Sequence, residues 1–388
     1  MDLYEENRQN LYEVTSMKET GRVPIGVNMM GWAFEYANTV YRDILTDPMA
    51  VSNAYMKFFD DFPIDVAPML GLPFPIRTWE ALGKDMYQFG EDGNCVNHAQ
   101  ARDKYLDDDI YDKIIENADA FINNEGILRT YPAFQGSKEE AYAKYIEALK
   151  EFKNYNTGSA LMNAGFKERG VFQFMDDVAF MYCTSFLKFF DMYRGIAKSM
   201  VDLRRHHDKV VDACHAIDEL KASQLMFKPE ALPKKNMLGY TVYHPEGGFF
   251  NQKQYDELYF NVIKKYYLPY LENGCKLFIY GEGTHLYTMD RFRDLPKGSV
   301  ILHLDQDDPF EVKKKIGDHI SIIGGITLDL LAGASKEECV DYVKKSFDEL
   351  APGGGFIFAP NKTMCSSRDA KRENVVAVYE EAIKLSRQ

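Results

Sequence analysis

The hydrophobic positions of this chain fall into short apolar runs separated by longer amphipathic segments, most regularly in the C-terminal part. Short apolar runs bounded by turn residues are typical of buried strands, and apolar residues at three- and four-residue spacing are typical of helices. From residue 276 onward this pattern predicts strands at 276–281, 299–304, 319–324 and 355–359, with helices at 285–294, 308–316, 336–349 and 371–386. Strands that alternate with helical segments indicate a parallel sheet.

The N-terminal part shows the same kinds of element at less regular spacing. Apolar runs predict strands at 23–28, 64–70, 170–176 and 238–244, and amphipathic patterns predict helices at 4–20, 46–61, 138–153, within 178–230 and at 251–274. The helix at 46–61 has a clear start, because the capping residue Asp47 precedes Pro48. Residues 76–135 are irregular and charged, and their length predicts an insertion or lid with small elements of its own.

Roughly eight strand candidates over this length favour an α/β fold of the closed (β/α)8 TIM-barrel type. An open doubly wound sheet is the alternative, but neither a GxGxxG loop nor a Walker loop occurs to support it. We therefore predict a single barrel domain over residues 1–388, with an extra helical N-terminal segment and an insertion at 76–135.

Composition narrows the class of protein. The net charge of −13 argues against a nucleic-acid groove, which needs clustered Lys and Arg. No apolar run approaches the roughly 18 residues of a membrane span, and the acidic, polar N-terminus resembles no signal or transit peptide. The six cysteines include no CxxC pair, so a cysteine zinc site has no local support. We expect a cytoplasmic protein with no nucleic-acid or membrane partner.

Two neighbouring predicted strands end in reactive side chains. Glu282 directly follows the strand at 276–281, and His303 and Asp305 lie at the end of the strand at 299–304. Parallel strands end on the same face of a barrel, so these side chains are expected to lie close together. A carboxylate and an imidazole can bind one metal ion or exchange a proton. Asp305 shares a strand face with His303 and could orient its ring or cap a helix.

Other strand ends supply further candidates. His244 ends the strand at 238–244 and is a third candidate for catalysis. Asn28, Met30 and Trp32 follow the first strand, where Asn28 could orient a substrate oxygen and the two larger side chains could line a pocket. Each candidate has a competing structural interpretation, namely a surface carboxylate, a satisfied core histidine or the packing of a lid.

The C-terminal part resembles the uroporphyrinogen decarboxylase superfamily. The resemblance is carried by IIGGITLDLLAGASKEECVDYVKKSFDELAPGGGFIFAP followed by ENVVAVYEEA, and it extends more weakly over nearly the whole chain. It implies a (β/α)8 barrel with its site at the C-terminal strand ends. The superfamily contains porphyrinogen decarboxylases and corrinoid-linked methyltransferases.

Two branches of the superfamily match poorly. The decarboxylases place arginines after the first strand to hold tetrapyrrole carboxylates, and here no arginine lies between Arg22 and Arg42. The methyltransferases that feed coenzyme M bind zinc through a His-x-Cys and a later Cys. The matching positions are Phe278, Tyr280 and Lys362, so that zinc site is absent.

A third branch matches better, the methyl-donor-side methyltransferases of anaerobic O-demethylase systems. This chain resembles that branch in three places. They are the spacing of Glu282 and His303, the LPKG at 295–298 and the segment from His244 through Tyr259. The resemblance implies methyl transfer from a methoxylated aromatic, or a similar small methyl donor, to the Co(I) cobamide of a partner corrinoid protein. One family glutamate is replaced by Tyr267, so a third metal ligand is not identified, although His244 or Glu257 could substitute.

The sequence hypothesis is therefore a methyltransferase with Glu282 and His303 as zinc ligands and catalytic residues, and His244 as a weaker third. Asn28, Met30, Trp32 and Asp305 are the predicted substrate-binding residues. Two alternatives remain open. One is a lyase of the same fold that decarboxylates a smaller acid, and the other is a non-catalytic barrel that binds a tetrapyrrole or an aromatic ligand.

Overall fold

The structure, a computed structural model, describes residues 2–68, 71–84, 87–98, 106–181, 186, 189–225, 238–243 and 250–387. Its strands are β1 (Val66–Ala67), β2 (Tyr87–Phe89), β3 (Val96–His98), β4 (Phe172–Gln173), β5 (Val178–Met181), β6 (Leu238–Tyr243), β7 (Lys276–Gly281), β8 (Val300–His303), β9 (Ser321–Ile326) and β10 (Phe356–Pro360). Each end of the four C-terminal strands lies within two residues of the end predicted from the sequence.

Most of the described chain is helical. The α-helices comprise Leu3–Val14, Trp32–Tyr36, Tyr41–Ile44, Pro48–Asp61, Ile76–Ala81, Ile110–Ala120, Ile127–Thr130, Lys138–Glu168, Ile196–Arg205, His207–Leu225, Gln252–Tyr255, Asn261–Glu272, Pro309–Ile316, Leu328–Gly333, Lys336–Leu350 and Arg372–Ser386. Short 3-10 or π segments cover Phe121–Gly126, Pro132–Phe134, Phe174–Asp177, Phe189–Tyr193, Asp256–Phe260 and Met289–Asp294. In the described part of the chain, no helix combines the length and apolar composition required to cross a membrane.

The strands are mainly parallel, which confirms the predicted α/β class. A six-stranded sheet has the order β10-β9-β8-β7-β6-β5, and every neighbouring pair in it is parallel. β1 pairs in parallel with β4, whereas β2 and β3 form an antiparallel hairpin inside the predicted insertion. Single parallel bridges join Ile25 to Phe358 and Gly26 to Val66, so residues 25–26 lie between β10 and β1.

Both faces of β7 to β10 are buried. Side chains alternate along each strand, so one set faces the helices and the other faces a separate, smaller apolar cluster. The smaller cluster contains Leu11, Tyr12, Val14, Val66, Phe172, Phe174, Phe278, Tyr280, Ile301, Ile323, Ile357 and Ala359. The N-terminal helix Leu3–Val14 thus contributes to the cluster that β7 to β10 share with β1 and β4. Because the strands of the large sheet are parallel, their last residues lie at one end of the sheet.

The helix predicted at 138–153 continues to Glu168. The prediction ended early because Gly158 and Gly165 weaken a helix in isolation. In the structure a Cβ on Gly158 would lie 3.3 Å from the Leu72 side chain, and one on Gly165 would lie 2.7 Å from Met56 Sδ. Both glycines therefore lie where the helix packs closely against neighbouring segments.

Other predicted boundaries also change. The predicted first strand at 23–28 makes only isolated bridges, and the N-terminal helix ends at Val14 rather than at residue 20. The segment 178–230 begins with the strand β5 instead of a helix. The helix predicted at 285–294 is only the 3-10 turn Met289–Asp294, because the amides of His285 and Leu286 donate to the Asp307 carboxylate before it.

Candidate functional site

His303 ends β8 and is fully buried. Its Nε2 lies 2.7 Å from Asn28 Nδ2 and 3.1 Å from the Pro360 carbonyl oxygen. The imidazole stacks on the Tyr280 ring, with centroids 4.7 Å apart and planes inclined by 9°. The ends of β7, β8 and β10 and the segment after the 25–26 bridge therefore meet at this histidine.

The imidazole of His303 is neutral at pH 7. Burial lowers the pKa of His303 to about 4, because desolvation disfavours the charged ring, against weaker opposing effects of the Pro360 carbonyl and Asp305. Asn28 Nδ2 carries two protons and also lies 3.2 Å from the Pro360 oxygen. Donation of these protons to His303 Nε2 and to Pro360 assigns the ring proton of His303 to Nδ1.

Two polar atoms of this pair have no hydrogen-bond partner among the described residues. They are Nδ1 of His303 and Oδ1 of Asn28, and both are buried. An unsatisfied buried donor or acceptor costs about 1–3 kcal/mol, and an unpartnered polar atom in a folded protein calls for a functional explanation. The pair thus holds one donor and one acceptor that the described residues leave unused.

Asp305 holds the turn that carries Glu282. The Gly283 amide donates to Asp305 Oδ2 at 2.7 Å, and the Lys362 ammonium lies 3.2 Å from Asp305 Oδ1. On the other side of the turn, His285 Nε2 donates to the Glu282 carbonyl oxygen at 2.6 Å. Asp305 therefore bonds the backbone after β7, where the sequence suggested a ring-orienting or helix-capping role.

A polar cleft of about 420 Å³ lies over the ends of β8, β9 and β10. Asp305, Asp307, Asp329, Asn361 and Lys362 contribute to its lining. Burial raises the pKa of Asp307, while the hydrogen bonds that it accepts from the amides of His285 and Leu286 oppose this shift. Of the predicted site residues that the structure describes, Asp305 is the one that lines this cleft.

The remaining predicted residues lie in different surroundings. Trp32 is buried, donates from Nε1 to the Ala370 carbonyl oxygen at 3.0 Å and stacks on Tyr36. Met30 is half-buried, and its amide donates to the Met364 carbonyl oxygen. His244 lies outside the described residues. The structure thus joins Asn28 directly to His303, whereas Trp32 packs in the hydrophobic core.

The described residues do not complete a metal site. Over the described ranges, no three His, Cys, Asp or Glu side chains gather closely enough to hold an ion. Asn28 already donates to Nε2 of His303, so a metal ion would bind at Nδ1 only after this nitrogen loses its proton, and Tyr267 is a fully buried core residue. Zinc at Glu282 and His303 therefore stays a prediction from the sequence.

Tyr280 is the site residue that the sequence analysis missed. Its phenol oxygen lies 3.3 Å from Thr363 Oγ1, and burial raises the pKa of this phenol. Strand periodicity carried a signal, because Tyr280 sits on the β7 face that meets the His303 side of β8. The family comparison considered Tyr280 only as the residue at the position of a zinc-binding cysteine. That comparison does not indicate that Tyr280 stacks on His303.

Removing the Asp305 carboxylate should loosen the turn that holds Glu282. We expect Asp305→Ala to lower the free energy of unfolding by about 1–2 kcal/mol, because the Gly283 amide loses its hydrogen-bond acceptor and the Lys362 ammonium loses its ion-pair partner. Hydrogen exchange of the Gly283 amide, beside urea unfolding, provides the measurement. Asp329→Ala is the matched control, since Asp329 lines the same cleft but is exposed. Unchanged protection of Gly283 in Asp305→Ala would contradict the assignment.

Comparison with known proteins finds similarity at the level of solved structures. No protein-family model and no curated protein sequence matches the chain. Among solved structures, a methyltransferase from Methanosarcina mazei is similar with a TM-score of 0.59, covering 97% of this chain and 98% of that chain at 12% identity. At this identity the similarity establishes a shared fold over nearly the whole length of both proteins.

Proposed function

We propose that this protein is a methyltransferase that moves a methyl group from a methoxylated aromatic compound to the Co(I) corrinoid of a partner protein. The observation that carries the proposal is the buried His303–Asn28 pair, whose unpartnered donor and acceptor lie where parallel strands end. The fold shared with a methyltransferase supports the reaction class. We also propose that the parallel strands close as a (β/α)8 barrel, in which residues 25–26 form the strand between β10 and β1, and β4 and β5 together form one interrupted strand.

The chemistry explains why such a pair would be needed. Phenolate is a poor leaving group, so the enzyme must stabilise negative charge on the ether oxygen as the bond to the methyl carbon breaks. The corrinoid supplies the nucleophile. The neutral Nδ1–H of His303 donates a hydrogen bond to the ether oxygen, and that oxygen keeps the bonding electron pair. Asn28 and Tyr280 keep the imidazole in position, and Asn28 Oδ1 accepts a hydrogen bond from a neighbouring ring hydroxyl.

Methyl transfer can be tested directly. The purified protein, a corrinoid protein reduced to Co(I) and a panel of methoxylated aromatics are combined without oxygen. We expect loss of the Co(I) absorption with at least one methoxylated donor and no loss with the matched phenols. Metal analysis of the same preparation tests the zinc prediction. A Co(I) spectrum unchanged by every donor would contradict the proposal.

The same samples distinguish the alternatives. Release of carbon dioxide from a small acid without any corrinoid would favour a lyase. Tight binding of an aromatic or a tetrapyrrole without turnover would favour a non-catalytic carrier. Neither alternative predicts a change in the Co(I) spectrum that depends on the methoxy group.

A further inference from the structure

The long helix Lys138–Glu168 carries an uncovered apolar stripe on its first four turns. The five large side chains of this stripe are each 43–66% exposed and comprise Tyr142, Tyr145, Ile146, Leu149 and Phe152. In contrast, Ala148 is the one buried residue between 138 and 153, and the helix is anchored mainly by its second half. A contiguous exposed apolar patch of this kind marks an interaction surface.

The spacing of the stripe is that of a coiled-coil seam. Tyr142, Tyr145, Leu149 and Phe152 occupy the a and d positions of successive heptads. They are also symmetric along the helix, since 142 and 152, and likewise 145 and 149, are equidistant from residue 147. An antiparallel helix of identical sequence would place Tyr142 against Phe152 and Tyr145 against Leu149, and each contact would occur twice. This reciprocity is the property that a two-fold interface requires.

The charges beside the stripe fit the same arrangement. The flank that carries Ile146 also carries Glu139 and Lys153, both exposed. In the antiparallel pair, Ile146 meets its own counterpart near the two-fold axis, and Glu139 of one copy faces Lys153 of the other. Although the chain carries a net charge of −13, residues 138–153 contain four lysines and four glutamates, which cancel. The face therefore lacks the like-charge repulsion that would keep two copies apart.

We propose that this stripe joins two copies of the chain through a symmetric antiparallel pairing of the helix Lys138–Glu168. A partner of different sequence would not require the reciprocal charges Glu139 and Lys153, and these charges select a second copy as the occupant. The seam from Tyr142 to Phe152 covers about three turns, so the dimer is reversible and its population depends on protein concentration. This interface is independent of the proposed methyl transfer.

Sedimentation equilibrium of the full chain over a concentration series tests the dimer. The wild type should show a monomer–dimer equilibrium, and Leu149→Arg should raise the dissociation constant by at least about 30-fold, because each copy would bury an unpaired charge against Tyr145 of the other. Val201→Arg is the matched control, since Leu149 and Val201 are both 44% exposed helical residues. It should leave the equilibrium unchanged. A monomer at every concentration, or a dimer that Leu149→Arg does not weaken, would overturn the proposal.

Charge reversal tests the antiparallel register. Glu139→Lys or Lys153→Glu alone should weaken the dimer by about tenfold, since each change turns two symmetry-related attractions into repulsions. The double variant E139K/K153E should return to within about threefold of the wild type. Circular dichroism and thermal melting verify that every variant is folded, and Tyr142→Lys provides a second seam variant. A double variant no better than the single ones would rule out this register.

Discussion

Replacing His303 with phenylalanine should reduce the rate of methyl transfer by at least about 100-fold, the usual effect of losing one preorganised donor to a developing oxyanion. Phenylalanine fills nearly the same volume and keeps the flat stack on Tyr280. What it removes is the acceptor for Asn28 and the unpartnered Nδ1 donor. The variant therefore isolates the hydrogen-bonding chemistry of the ring from its packing.

The matched control is His319→Phe, the same change just before β9, at the opposite end of the strands from His303. His319 is half-buried and donates from Nε2 to the Leu295 carbonyl oxygen at 2.9 Å. Its loss should change the rate by less than about threefold, because it touches none of the residues around His303. If His303→Phe retains more than a tenth of the rate while His319→Phe behaves as expected, His303 does not stabilise the leaving group.

Acidification should destabilise the wild type through His303 by about 3 kcal/mol. The unfolded chain takes up a proton on this residue as the pH falls below its ordinary pKa of about 6.5, whereas the folded protein does so only near pH 4. Between these values the unfolded state binds more protons, so the free energy of unfolding declines as the pH falls. The contribution is complete above pH 6.5 and is lost by pH 4.

Urea unfolding at several pH values between 7 and 4, in buffer containing a chelator, measures this effect. His303→Phe should lack the part of this decline that comes from His303. The unfolding free energy of the wild type minus that of the variant should therefore fall by about 3 kcal/mol between pH 7 and pH 4. His319→Phe should keep the wild-type dependence on pH. Parallel curves for wild type and His303→Phe would show that His303 titrates alike in the folded and unfolded states.

Local patterns predicted those elements whose stability is local. The strands β7 to β10 came from short apolar runs, because burial on both faces leaves few polar residues in a parallel strand. The start of the helix Pro48–Asp61 followed from a capping residue whose side chain accepts the amides of its own first turn. Glu282 and His303 could be placed at neighbouring strand ends for the same reason.

The sequence by itself determined the α/β class, the parallel C-terminal strands and the strand ends at which reactive side chains occur. The tertiary structure decided which of these side chains meet. Asn28 contacts His303 across 275 positions, and Tyr280 stacks on it through strand pairing. The tertiary structure also decided that the helix Lys138–Glu168 continues past Gly158 and Gly165. The reason is that strand register and close packing select partners over long distances, whereas periodicity and capping act within a few residues.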